Sequence, residues 1–181
     1  GGAALGRPDF GGYDLRFFEN AAEMRAAVLE RDDEVGLARM VAGYAWKWNS
    51  SKDRSAPDIE LDGLRLQWNK TATEWIRSKT SREEVGSIHT VQGYDLNFAG
   101  VLIGRDLGWD ATRQRIVFRR EHYFDRRGKA NNNILGVSYS DEDLRSLVLN
   151  IYAVLLTRGM LGTYVHVVDP ELREVLRPCF E

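Results

Sequence analysis

Apolar positions along the chain recur in two periods, and their alternation lays out a succession of strands and helices. Leu15-Arg16-Phe17-Phe18 reads as a short strand. Asn20 follows as a helix cap, with Glu23 placed to reach back to it, and Met24, Ala27, Val28 and Val35 mark one helical face. Ala38 to Tyr44 is a compact apolar strand; Ala45-Trp46-Lys47-Trp48-Asn49 leaves it, and polar residues through Pro57 form a loop. Ile59-Glu60-Leu61 and Leu64-Arg65-Leu66-Gln67-Trp68 alternate around Asp62-Gly63, which predicts a hairpin. Thr73 to Ser78 predicts a short helix carrying Trp75 and Ile76, and Val85 to His89 the next strand. Phe98 to Gly104 is apolar throughout, as in strands buried on both faces. Residues 105–140 are polar and rich in Arg and Asn, an insertion or long functional loop holding one strand, Ile116-Val117-Phe118. Ser140 to Asp143 cap a helix whose Leu144, Leu147, Val148, Ile151, Tyr152 and Leu155 share a face, with Gly159 and Gly162 ending it. Tyr164 to Val168 is a closing strand, and Asp169-Pro170-Glu171 opens a last helix with proline first.

This alternation predicts an α/β fold with a largely parallel sheet, helices on both faces and a β-hairpin insertion. With 181 residues, 43% of them hydrophobic and 29% charged, the chain suits one soluble domain. The glycine-rich opening reads as a flexible lead-in over residues 1–13, and its start on two glycines as the mark of an excised domain spanning 14–181. A net charge of −2 gives no global attraction to polyanions, so any nucleic-acid contact is local. The single cysteine, Cys179, excludes a disulfide or thiolate cluster within the chain. No apolar run approaches the ~20 residues of a membrane span, and no leader opens the sequence; the expectation is a cytoplasmic protein with no membrane partner.

Two segments carry candidate chemistry. Ser87-Ile88-His89-Thr90-Val91-Gln92-Gly93-Tyr94-Asp95-Leu96 reads as a buried strand ending in a polar turn, where Gly93 lets the backbone bend or approach an anion closely. Gln92 offers both donor and acceptor to a terminal phosphate or its attacking water, and Asp95 can accept from a ribose hydroxyl. Leu155-Leu156-Thr157-Arg158-Gly159 puts one guanidinium at the end of the long helix, suited to phosphate but also favoured there by the helix dipole. Taken alone, the first segment is as readily a plain polar loop, and the second is more simply a helix end.

A phosphate-cradling Gly-x-x-x-x-Gly-Lys-Ser/Thr loop is absent: the only Gly-Lys, Gly128-Lys129, precedes Ala130 and has Tyr123 in the first glycine position. Val165 to Glu171 has the outline of a Walker B strand but, without that loop, reads as a closing strand and helix cap. His89, His122 and His166 lack metal-ligand spacing. Pro57-Asp58-Ile59-Glu60 has the look of a nuclease signature, yet no Asp-x-Lys or Glu-x-Lys accompanies it. Trp46, Trp48, Trp68 and Trp75 cluster in the first half, either packing a hairpin on the sheet or, with Lys47 or Arg65, stacking on unpaired bases. One of Trp46 and Trp48 is expected to be exposed rather than packed in the core.

Several words taken in order, Ala42-Gly43-Tyr44-Ala45-Trp46-Lys47-Trp48, Trp68-Asn69, Gly86 to Gly104 and Asn150 to Gly159, carry a resemblance. Over residues 14 to 176 the chain resembles the C-terminal part of the bacterial Schlafen group 3-like DNA/RNA helicase domain, related to superfamily one helicases. The resemblance implies a second RecA-like (P-loop NTPase-type) motor domain, with Ser87 to Asp95 similar to helicase motif V and Leu155 to Gly159 to motif VI. It implies that Ser87, His89 and Thr90 face single-stranded DNA or RNA. Gln92, Gly93, Asp95 and Thr157 would face ATP with its Mg, held mainly by an N-terminal RecA-like domain, and Arg158 would act as the arginine finger. Departures are Thr90-Val91 where relatives carry Lys-Ser, and Arg158-Gly159 where they carry Arg-Ala. Two other classes stay open: a non-catalytic nucleic-acid-binding or protein-interaction module, and a phosphotransferase or GTPase-like switch. Without a phosphate-cradling loop the isolated chain is expected not to hydrolyse ATP, whereas the switch reading expects nucleotide hydrolysis that added DNA or RNA does not change.

Overall fold

The computed structural model describes residues 11–125, 128 and 138–180; most of the expected lead-in and residues 126–127 and 129–137 of the expected long loop lie outside them. Its elements are β1 (Asp14–Phe17), α1 (Ala21–Val35), β2 (Ala38–Ala42), β3 (Ile59–Leu61), β4 (Leu64–Trp68), β5 (Glu84–Ser87), α2 (Ile88–Val91), β6 (Leu96–Ile103), β7 (Leu107–Asp110), β8 (Arg115–Phe118), α3 (Asp141–Leu156), β9 (Gly159–Val167) and α4 (Pro170–Leu176). Seven strands form one sheet in the order β1-β9-β6-β2-β5-β4-β3, and β7-β8 form a separate antiparallel pair. Every neighbouring pair in the large sheet is parallel except the β3–β4 hairpin. This is the layered α/β arrangement of a RecA-like domain. Among the described residues no helix is long and apolar enough to cross a membrane.

The central strands are apolar on both faces because each face has its own cover. Val41, Ala99, Val101, Ile103, Val165 and Val167 pack with Val148, Tyr152 and Leu155 of α3 and Leu172 of α4. The alternate residues Met40, Ala42, Phe98, Leu102 and Tyr164 pack with Ala21, Met24 and Val28 of α1. The helix starts follow the sequence cues. Asn20 Oδ1 accepts from Ala22 N (2.8 Å) and Glu23 N (3.2 Å), Ser140 and Asp143 cap each other, and Asp169 Oδ1 accepts from Leu172 N (2.9 Å).

Several expectations shift. The strand expected over Val85 to His89 ends at Ser87 and turns into α2. Val35 is 47% exposed, because α1 overruns the sheet and ends at Gly36, whose φ of +71° takes the chain into the left-handed region. Leu147 is likewise exposed at the rim of the α3 face. Gly159 and Gly162 lie within β9 instead of ending the helix alone; a Cβ on Gly162 would sit 2.4 Å from the Asp14 carbonyl oxygen and 2.5 Å from the Phe98 ring. Trp75 sits in a single 3₁₀ turn, Trp75–Arg77.

Gly86 in β5 shows how tightly that turn is packed. A Cβ there would lie 2.5 Å from Trp75 Cζ3, and the fully buried indole is pinned by Nε1 donation to Glu84 Oε2 at 2.8 Å. Gly86→Ala is expected to cost roughly 1–3 kcal/mol through overpacking. A urea unfolding midpoint unchanged from wild type would show that the ring can retreat.

Candidate functional site

The segment from Ser87 to Asp95 reaches opposite edges of the sheet. Ser87 pairs with Ala42, the last residue of β2, whereas β6 begins before Phe98, which pairs with Ala38, the first. The chain therefore leaves the carboxyl edge of β5 and re-enters at the amino edge of β6. Ser87 and Thr90 are buried, and their polar atoms shape the turn: Ser87 N donates to Thr90 Oγ1 and Thr90 Oγ1 to the Ser87 carbonyl, each at 2.9 Å. His89 between them is exposed. Beyond α2 the bend itself is at Gly93, with φ +82° and Tyr94 N donating to the Val91 carbonyl (3.1 Å). Nothing lies within 4 Å of a Cβ there, so the backbone conformation, and not crowding, calls for glycine.

At the amino edge the two candidate segments meet. Leu96 N donates to the Arg158 carbonyl at 2.9 Å, and Arg158 Nη1 lies 3.9 Å from Asp95 Oδ1. Gln92, Gly93 and Asp95 are exposed, and the Arg158 side chain is partly so. Arg158 Nε donates to the Val154 carbonyl (3.2 Å), and Thr157 Oγ1 to the same carbonyl (3.0 Å), so both residues also close the end of α3. The guanidinium keeps one outer nitrogen, Nη1, in a loose ion pair with a carboxylate that is itself exposed, an arrangement able to exchange that partner for an incoming anion. Leu37, Val154, Met160 and Leu161 are exposed on this same part of the molecule.

The carboxyl edge is closed where parallel sheets commonly bind ligands. Strand order reverses between β2, whose chain continues toward β4 and β5, and β6, whose chain continues toward β9. Tyr152 fills that crevice. Its hydroxyl would lie 2.6 Å from a Cβ on Gly43, accepts from Gly104 N (3.0 Å) and donates to Asp106 Oδ1 (2.8 Å). Asp106 is fully buried, and burial pushes its carboxyl up to about 7 against the opposing effect of the Tyr152 hydrogen bond. Asp169, in the Walker B-like stretch, caps α4 and pairs with Arg119 Nη1 at 2.6 Å. Asp58 is a clamp: its oxygens accept from Ser50 N, Ser50 Oγ and Trp68 N at 2.6–2.8 Å.

The loop clamped by Asp58 lines a groove that the candidate residues, except His89, do not include. It has a volume of about 810 Å³, and Tyr44, Trp46, Trp48, His89 and Phe124 give it aromatic walls. Trp68 is fully buried beneath them, with ring centroids 5.7 Å from Tyr44, 6.4 Å from Trp46 and 6.5 Å from Trp48. Trp48 is 40% exposed and Trp46 half-buried, and both line this groove. The signal in the sequence was the Trp-Lys-Trp word; Arg65, its other expected cation, lies away from this groove.

A family model, Schlafen group 3, DNA/RNA helicase domain, matches residues 4–169. Uncharacterized protein YPL245W of Saccharomyces cerevisiae is 36% identical over 174 residues, covering 92% of this chain and 37% of the yeast protein. The chain thus spans little more than a third of the length of that curated relative. No solved structure matches. With the match running from before β1 to the cap of α4, the chain belongs to the Schlafen group 3 DNA/RNA helicase domain family.

Proposed function

We propose that this chain is the second, C-terminal RecA-like domain of an ATP-dependent DNA/RNA helicase or translocase. The observation that carries the reading is the meeting of Arg158 with the Gln92–Asp95 bend at one sheet edge, beside exposed Leu37, Val154, Met160 and Leu161. A guanidinium on a surface with apolar neighbours suits an edge that closes against another domain. In this reading an N-terminal RecA-like domain holds ATP and Mg, and Arg158 reaches the terminal phosphate as charge develops during transfer. Gln92 orients the attacking water, and Gly93, Asp95 and Thr157 line the nucleotide side. His89 faces the nucleic-acid strand from a turn that Ser87 and Thr90 hold in place. The chain alone, without a phosphate-cradling loop and with its own switch-point crevice filled by Tyr152, does not turn over ATP.

The test is ATP hydrolysis by the full-length protein with single-stranded DNA, with single-stranded RNA and with neither. Stimulation by at least one strand is expected; hydrolysis that neither strand changes overturns the motor reading. A second reading, a non-catalytic nucleic-acid-binding or protein-interaction module, is favoured by the bond from Arg158 Nε to the Val154 carbonyl, which gives the arginine a purely structural occupation. It predicts strand or protein binding with no nucleotide turnover at all.

A further inference from the structure

We propose that the aromatic groove at the carboxyl ends of β2 and β5 grips an unpaired nucleic-acid strand by stacking its bases on Trp48 and Trp46, with phosphates held by flanking lysines and arginines. This rests on the helicase reading and names the form of strand that reading requires. Aromatic rings line the cleft, and a base in a duplex already has both of its faces covered, so such walls suit unpaired bases.

Charge separates this occupant from an apolar one. The groove continues on both sides: a depression of about 390 Å³ shares Trp48 and Ser51, and one of about 350 Å³ shares Trp46 and Lys47. Along the resulting track lie the exposed Arg105, Lys47, Lys52, Arg54 and Lys70, against the carboxylates of Asp125, Glu60 and the hydrogen-bonded Asp58, an excess of cations in a chain whose net charge is −2. That is a local cationic lane on an otherwise slightly acidic molecule. Lys47 Nζ lies 5.8 Å from the Phe124 ring centroid, so charge and ring belong to one surface. Rigid aromatic faces also need support, and the loop has it. Asp58 anchors Ser50 and Trp68, Phe124 N donates to the Tyr44 carbonyl at 2.7 Å, and Trp68 backs the exposed indoles.

The test uses the full-length protein and four 16-nucleotide probes: single-stranded DNA, single-stranded RNA, an abasic single strand of equal charge, and a duplex. Binding is read by fluorescence anisotropy at fixed salt, with ATP hydrolysis measured in parallel. At least one base-bearing single strand is expected to bind about 10-fold or more tightly than both the abasic strand and the duplex. Trp48→Ala is expected to erase most of that difference and Trp48→Phe to retain it. Lys47→Gln with Lys52→Gln is expected to weaken all strands alike. Equal binding of abasic and base-bearing strands overturns the proposal without any substitution. So does full affinity in a Trp48→Ala protein whose melting curve matches wild type, or a proline-rich peptide that quenches Trp48 where no oligonucleotide does. Trp48-dependent strand binding without stimulated hydrolysis keeps the groove and removes the motor. Stimulated hydrolysis with base-independent binding does the reverse.

Discussion

Arg158→Ala in the full-length protein is expected to reduce nucleic-acid-stimulated ATP turnover by about 10³-fold or more, the range seen when an arginine finger is lost, while the domain stays folded. The side chain's structural contacts are small: one donation to the Val154 carbonyl and a 3.9 Å approach to Asp95. Losing a cation at a helix carboxyl end costs a few tenths to about 1 kcal/mol. A catalytic role and a capping role therefore predict different things. Removal of a finger collapses the rate with a melting temperature nearly intact, whereas removal of a cap lowers the melting temperature slightly and leaves the rate alone. Arg158→Lys sharpens the contrast, since an ammonium serves the helix end but cannot offer a planar fork to phosphate. Steady-state hydrolysis beside a thermal melt decides it, and normal turnover in the alanine variant removes the finger assignment.

The second large effect is on stability, and it lies in Asp106. This carboxyl is fully buried, accepts from the Tyr152 hydroxyl at Oδ1 and has no partner for Oδ2 among the described residues. Burial pushes it up to about 7, and the ionised form also pushes up the buried Tyr152 hydroxyl, itself raised chiefly by desolvation. A carboxyl whose folded value is raised binds its proton more tightly in the folded state. Its contribution to stability is full below about pH 4, declines as pH rises, and is gone once pH passes about 7. Asp106→Asn removes the titration while keeping a carbonyl to accept from Tyr152. Relative to wild type, the variant is expected to be more favourable at pH 8 than at pH 5 by on the order of 2–3 kcal/mol. Urea unfolding of both proteins at both pH values measures it, and taking the difference between pH values cancels the cost of the unpartnered amide. Parallel behaviour at the two pH values would mean that Asp106 is ionised throughout.

The sheet was legible because its strands announce themselves by composition and their turns by chemistry. Val101-Leu102-Ile103 can only be interior, and Asp62-Gly63 can only be a hairpin tip, which the structure confirms with Ile59 paired to Leu66. The short pair β7–β8 was half missed. Leu107-Gly108-Trp109-Asp110 is only four residues long and carries just two apolar side chains, and the Arg119 guanidinium packs where a Cβ on Gly108 would be, on the way to Asp169. The adjacency of the Gly93 bend and Arg158 followed from order along the chain, although both sit at the amino edge, where parallel sheets less often hold ligands. The polar residues were harder to sort. Ser87 and Thr90 look the same on paper whether a hydroxyl faces a phosphate or closes its own turn, and here both close the turn. The groove was hidden because its walls come from separate stretches, Tyr44 to Lys52, His89 and Phe124, which only the parallel register brings together.

Eight residues, 88–95, are all that joins the aromatic track to the arginine edge, and four of them are locked in α2. Such a linkage has almost no play. A movement of Asp95 is handed along covalent bonds to His89 with only one glycine hinge between them, so whatever tugs on one end is felt at the other without any rearrangement of the sheet behind it.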